Sequence, residues 1–217
     1  MKKTFLIIAV VALCFNLNAQ SSSTSDEGIK FGIKAGVNFA SITGDETDDL
    51  SGLTGFHFGA VLDISISEKF SVQPELLYST QGAEYKDSDA YDGKFKLNYI
   101  NIPVMAKYYV AEGFSIQAGP QIGFNTSAKD EYKYTGVDPG FSDDSGTDDI
   151  KDFVKGTDFG INFGLGYEMQ TGLNFSARYC LGLSDINDLP DNIDPGFSVG
   201  DIKNQNGVFQ ISVGYMF

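Results

Sequence analysis

Past Gly28 the chain is built from short segments in which apolar and polar side chains alternate with a period of two, the period of a β-strand whose faces meet different surroundings. In FGIKAGVNF, Phe31, Ile33, Ala35, Val37 and Phe39 share one face, and Gly32, Lys34, Gly36 and Asn38 the other. FHFGAVLDI sets Phe56, Phe58, Ala60, Leu62 and Ile64 against His57, Gly59, Val61 and Asp63. FSVQPELLYS sets Phe70, Val72, Pro74, Leu76 and Tyr78 against Ser71, Gln73, Glu75, Leu77 and Ser79. The alternation returns in FSIQAGPQIGFN, DFGINFGLGYE, LNFSARYCLGL and the closing NGVFQISVGYMF. KFKLNYINIPVMAKYY departs from it, because Phe95, Leu97 and Tyr99 have one parity while Ile100, Ile102, Val104, Ala106 and Tyr108 have the other. Either a bulge near Tyr99 resets the register, or the first half of this strand lies beyond the layer that its second half faces.

The pattern predicts eight strands, an even number, with links that alternate in length. Short links around SEK, AEG and QTG alternate with long ones at roughly 41–52, 80–93, 126–156 and 184–205, so every long loop falls at the end away from both termini. Outer-membrane barrels have this asymmetry, and about nine residues suffice to cross the hydrocarbon when tilted. Composition agrees: 25 glycines, 18 phenylalanines, 11 tyrosines and no tryptophan favour strands in close contact over helices. The expected fold is all-β, an eight-stranded antiparallel up-and-down transmembrane β-barrel with short periplasmic turns and long extracellular loops.

Periodicity does not say which face points inward. A soluble lipocalin-like barrel would turn its apolar face toward a ligand, but its outer face would then be rich in Lys and Glu. The minor face here is Gly, Ser, Asn and Gln with isolated charges, which suits a crowded lumen. Eight strands leave an interior that side chains fill. A lumen network is therefore expected from Lys34, His57, Asp63, Glu75, Lys107, Asp158, Glu168 and Arg178, with the cations balanced by the carboxylates because an unpaired buried charge is very costly. The alternative for the same residues is a narrow proton or ion path. Aromatics near strand ends, Phe31, Phe39, Tyr78, Tyr108, Phe114, Phe124, Tyr167, Tyr179 and Phe217, are placed to form interfacial girdles.

The first residues, MKKTFLIIAVVALCFNLNAQ, read as a secretory signal peptide over 1–19: two lysines, an apolar run, and the small Ala19 at the cut. A lipoprotein anchor at Cys14 is the rival, though Leu13 stands where that signal wants a small residue. Residues 20–28 then form a periplasmic tail and 29–217 the barrel. Cleavage leaves Cys180 as the single cysteine, so no internal disulfide is expected. It also leaves 13 basic against 29 acidic residues, a net charge of −16 that repels nucleic acid.

Catalytic chemistry is not legible. The single histidine, His57, lies within a strand with no Ser or Asp at a spacing that marks a triad, so the protein is expected not to be an enzyme. The acidic stretch DDSGTDD offers Asp143, Asp144, Asp148 and Asp149 as weak metal ligands, but it lacks the EF-hand order of carboxylates and a solvated acidic loop is the simpler reading. No cofactor is expected. NTS at Asn125 and NFS at Asn174 match glycosylation sequons but fall within strands.

FGIKAGVNFAS, FSVQPELLYSTQGAEY, KLNYINIPVMAKYY, FSIQAGPQIGF, FGINFGLGYEM, LNFSARYCLGLSDI and NGVFQISVGYMF, in this order, resemble the small outer-membrane β-barrel proteins of Bacteroidota, the porin-family or PorT-like group. The resemblance implies a single-domain barrel in the cell outer membrane and says little about activity. The expected partners are outer-membrane lipid, lipopolysaccharide and the barrel assembly machinery, with a monomer as the expected state and no nucleic acid. In the closing strand Phe209, Ile211, Val213, Tyr215 and Phe217 resemble the carboxy-terminal signal that this machinery reads. The expected role is structural or one of surface interaction; the alternatives are a narrow porin-like channel and a soluble ligand-binding barrel.

Overall fold

A computed structural model describes residues 28–85, 91–134, 144–188 and 202–217. The expected signal peptide, all of the tail except Gly28, and Asp143 lie outside the described residues. The elements are β1 (Ile29–Gly44), β2 (Leu50–Ser67), β3 (Phe70–Tyr85), β4 (Tyr91–Ala111), β5 (Phe114–Tyr134), β6 (Asp144–Asp149), a 3₁₀ turn (Lys151–Phe153), β7 (Thr157–Glu168), β8 (Leu173–Gly182) and β9 (Asn204–Met216). Sequence neighbours pair antiparallel around β1, β2, β3, β4, β5, β7, β8 and β9, and β9 returns to β1 from Gly32↔Met216 to Gly44↔Asn204. The ring thus holds the eight strands expected, and closing it removes the exposed edges that an open sheet would leave. The short turns join β2 to β3, β4 to β5 and β7 to β8; Gly113, with φ of +72°, sits in the second of them, where a side chain would be strained.

The side chains settle which way the faces point. Lys34, Asn38, His57, Asp63, Glu75, Lys107 and Arg178 are buried inside, whereas Ile33, Val37, Phe58, Leu76, Val104, Phe163 and Ile211 stand exposed outside. No water-facing surface would carry so continuous an apolar band, so hydrocarbon covers it. The inside-out arrangement rules against the soluble ligand-binding barrel.

Two expectations about the loops need correction. The stretches 80–93 and 126–156 were expected as loops, but β3 runs to Tyr85, β4 starts at Tyr91, β5 runs to Tyr134, and Asp144–Asp149 pairs back on β5 from Lys129↔Asp149 to Tyr134↔Asp144. Alternation fades there because both faces leave the hydrocarbon, yet the backbone N–H and C=O groups still need partners and the ladder continues. At about 3.3 Å per residue, a strand as long as β5 extends roughly 70 Å, well beyond the membrane.

The anomaly in β4 has a related cause. Its odd residues face inward along its length, from Leu97 and Tyr99 through Asn101 and Met105 to Lys107, all buried. No bulge in β4 reverses it. Below Ile100 the outside is apolar, while Asn101 and Lys107 reach the polar interior with Pro103 and Met105 between them; above it Lys94 and Lys96 point outward to ion pairs with Glu84 and Glu131, while Leu97 and Tyr99 pack inside. The strand keeps its facing while its surroundings change, with lipid outside below the boundary and water outside above it. The irregularity opposite Tyr99 lies on β5, where Asn98 pairs with Ser127 and Tyr99 with Asn125, leaving Thr126 as the extra residue. That insertion shifts parity so that Ala128 turns inward and joins the buried apolar group at the mouth.

Candidate functional site: the filled lumen and its apolar mouth

From the turn end upward, the interior is occupied by stacked polar layers. In the lowest, Lys107 Nζ donates to Asp63 Oδ2 (2.7 Å) and Gln73 Oε1 (3.1 Å), Ser71 donates to the same Asp63 oxygen (3.2 Å), and Glu168 receives Lys30 (3.1 Å) with Lys107 3.7 Å away. Below them a cavity of about 620 Å³ opens at the turn end, lined in part by Lys30, Asp63 and Glu168.

Glu75 is the centre of the next layer. Arg178 from β8 donates to both of its oxygens, Nη1 to Oε2 at 3.0 Å and Nη2 to Oε1 at 2.8 Å, while Lys34 from β1 (2.8 Å) and Gln73 (2.6 Å) also reach Oε1. A two-pronged guanidinium–carboxylate pair fixes direction as well as charge. Because its members come from opposite walls of the ring, the group spans the lumen.

Above it, His57 Nδ1 lies 2.7 Å from Asn38 Oδ1 and Nε2 lies 2.8 Å from Ser212 Oγ. Asn38 uses its amide N–H groups on Ser79 and the carbonyls of Phe56 and Thr80, and its Oδ1 also accepts from Gln210. The network therefore assigns the Nδ1–H tautomer, with Nε2 accepting from the serine hydroxyl. Hydroxyl, imidazole and amide stand in the order of a nucleophile, its base and an orienting group. Sequence spacing could not reveal this, since positions 38, 57 and 212 belong to three strands. All three side chains are buried, so the arrangement satisfies a lumen histidine and presents no open face to a substrate. Gly36 makes room for it: a Cβ there would run into the Ile211 carbonyl and come 2.6 Å from His57 Cε1.

The upper layer centres on Asp158, and here the expected ion pairing needs correction. Asp158 is not joined to Lys34, Lys107 or Arg178; Asn206 Nδ2 (2.9 Å) and Ser184 Oγ (2.7 Å) donate to it instead. Those three cations lie lower in the lumen and are taken up by Glu75, Asp63 and Glu168. Asn162 donates to Gln121, which donates to the buried Cys180 sulfur.

Over this layer the polar lumen ends at an apolar group formed by Leu97, Tyr99, Ala128 and Ile186, with Ile42, Ile150 and Val154 packed against it. It is held in place from the β8–β9 link. Asp185 receives Lys155 Nζ (2.8 Å) and the backbone N–H groups of Asn187 and Asn204, and Asn187 in turn donates to Asn204 and to the Ile202 carbonyl. Partial burial pushes the Asp185 carboxyl up, but the hydrogen bonds from Lys155, Asn204 and Asn187 outweigh it and hold the group below its ordinary value.

Of the candidate metal ligands, Asp144, Asp148 and Asp149 stand exposed on β6. A strand sends Asp148 and Asp149 to opposite sides, and among the described residues no group of three His, Cys, Asp or Glu side chains is arranged to hold an ion. Phe209, Ile211, Val213, Tyr215 and Phe217 all face outward into the apolar band. Of the expected girdle, Phe39, Tyr108, Phe114, Phe124, Tyr167, Tyr179 and Phe217 are exposed on it, while Phe31 and Tyr78 are half-buried.

A closed antiparallel ring with a charged interior, a lipid-covered exterior and strands that outrun the membrane at one end defines the outer-membrane β-barrel class. The chain belongs to the outer membrane protein beta-barrel domain family, whose pattern matches residues 18–188. Among solved structures it is similar to Ail, the attachment invasion locus protein of Yersinia pestis, at 17% identity and a TM-score of 0.52, covering 88% of this chain and 99% of that one. It is also similar to a major outer membrane protein from Thermus thermophilus, at 12% identity and a TM-score of 0.51, covering 88% and 100%. At such identities the likeness concerns the fold. No curated protein matches the chain.

Proposed function

We propose that this protein is a closed barrel of the small Bacteroidota type, PorT-like in the resemblance of its strands, exported by a signal peptide cleaved after Ala19. Its work is done at the cell surface, by the pairing of β4, β5 and β6 that rises above the membrane, and not by conduction. The observation that carries the reading is the Glu75 layer: Arg178, Lys34 and Gln73 converge on one carboxylate across the lumen, with a buried apolar group above them. An ion crossing this path would have to break a desolvated charge cluster and then pass hydrocarbon side chains.

The raised ribbon supports the surface role. It carries Asp144, Asp148 and Asp149 on β6 beside the Lys96–Glu131 pair, all in water and available to a partner. In this reading the exterior contacts outer-membrane lipid and lipopolysaccharide, Phe209 to Phe217 address the barrel to its assembly machinery, and the protein acts as a monomer. Planar-bilayer recording of the purified barrel is the test of closure. Silence at all voltages is expected, and steady, reproducible channels would defeat the proposal. Protease treatment of intact cells should cut between residues 126 and 156, and complete protection would place the ribbon on the wrong side.

A further inference from the structure

Above the buried group that ends the polar lumen, the barrel mouth holds a concave site of about 400 Å³, within the range of small-molecule pockets. Leu97 and Ile186 form its floor, and Tyr85, Phe95 and Phe153 supply aromatic walls. Tyr85 and Phe95 lie with ring centroids 5.0 Å apart, and Phe153 is 47% exposed, an apolar residue held toward water. Asp45 and Glu46 are on the rim. No basic side chain is among the described residues that line it; of the lysines near the mouth, Lys155 is paired with Asp185 and Lys94 with Glu84, while Lys203 is exposed between the lining residues Ile202 and Asn204. The acidic corner is built: one Asp45 oxygen receives the Lys203 backbone N–H (3.0 Å), and Glu46 is held at φ of 53°, in the left-handed region that non-glycine residues rarely adopt.

Aromatic faces beside carboxylates, over an apolar floor, are the chemistry that recognises an organic cation: the ring quadrupoles and the carboxylates attract the charge, and the floor takes the hydrocarbon. We infer that the mouth of this barrel binds a small soluble amphipathic cation, an apolar body carrying a quaternary or protonated amine, at the site framed by Tyr85, Phe95, Phe153, Asp45 and Glu46. The inference goes beyond the surface role of the β6 ribbon and does not rest on it. It requires that the mouth face water, and the closed lumen beneath makes it a binding site with no exit.

The test places the isotopically labelled barrel in lipid nanodiscs and titrates octyltrimethylammonium below its micelle-forming concentration, following amide shifts, with octylsulfonate and octanol as anionic and neutral controls. Saturable shifts confined to the mouth are expected with the cation, and at least roughly tenfold weaker binding of the anion. Glu46→Gln should weaken cation binding roughly three- to tenfold, and Leu50→Trp, which fills the cavity, should abolish it. Should the tryptophan variant lose its heat-shifted gel mobility, Phe153→Ala removes an exposed wall without touching the barrel and should weaken binding in the same direction. Equal responses to all three tails, or shifts no larger than partition into the lipid explains, would overturn the inference. So would binding that appears only after residues 189–201 are shortened, because the chain would then fill its own site.

Discussion

Glu75 ties two cations and an amide together, Arg178 from the opposite wall, Lys34 from β1 and Gln73 from its own strand. Arg178→Ala leaves Glu75 with Lys34 and Gln73 but without its two-pronged partner. Breaking a buried pair from one side costs about 3–5 kcal/mol. The variant should therefore unfold at a lower temperature than any substitution in residues 144–149, read by heat-shifted gel mobility, and an unchanged midpoint would remove the network from the stability of the barrel. Asp185 gives a pH dependence with a definite sign. Its carboxyl is held below the ordinary value in the folded state, so its contribution is complete above the unfolded value and lost as pH falls through the lower, folded one. Protection of the Asn187 and Asn204 amides, their exchange taken relative to an unstructured amide at the same pH, should fall on acidification below about pH 4 and stay level from there to neutrality, because Asp185 accepts both N–H groups. A loss of protection near pH 6 would assign the linkage to another group.

Along β4 the same facing meets two environments, and this makes paired substitutions informative. Val104→Lys puts an ammonium into the apolar band and should cost about 2–4 kcal/mol, less toward the interface, with poor recovery of folded barrel from lipid. Leu97→Lys lies on the opposite face and above the boundary, so it should leave insertion intact while loosening the buried group that Leu97 shares with Tyr99, Ala128 and Ile186. Faster protease cleavage of the mouth, with normal heat-shifted mobility, is the expected pattern; failed insertion of Leu97→Lys would mean that the buried group at the mouth is required for the barrel below it to assemble. In β9 the outward aromatics end at Phe217, whose backbone N–H donates to the Phe31 carbonyl (2.7 Å) and whose ring meets Tyr215 edge-on. Deleting Phe217 should lower the yield of assembled barrel in cells more than it lowers the stability of barrel refolded in detergent, and equal yields in cells would leave β9 as a closing strand with no address.

The whole molecule is a tube whose two halves obey opposite rules. Within the membrane the polar side chains fill the centre because lipid lies outside; above it the apolar side chains take the centre because water does. A filled lower lumen, an apolar group over it and a mouth with aromatic walls follow from that single change of solvent. The exposed carboxylates of β6 contribute to a net charge of −14, and they keep the protruding strands solvated.

Much of this was written in the order of side chains. Period-two alternation set the number of ring strands, though not β6, and the parity of each lumen residue from Lys34 to Arg178, because a pleated strand sends neighbours to opposite faces whatever its partners are. The alternation of short and long links placed the loops at one end. Inward or outward could only be argued from the scarcity of Lys and Glu on the minor face, and the burial of that face settled it. What the linear order could not hold was every relation across the ring. Nothing in spacing brings Asn38 and Ser212 to His57, sends Asp158 away from the cations, or lifts Thr126 out of register so that Ala128 meets Tyr99. Those contacts depend on shear and closure, which are properties of all eight strands together, and on the solvent that each level of the closed tube faces.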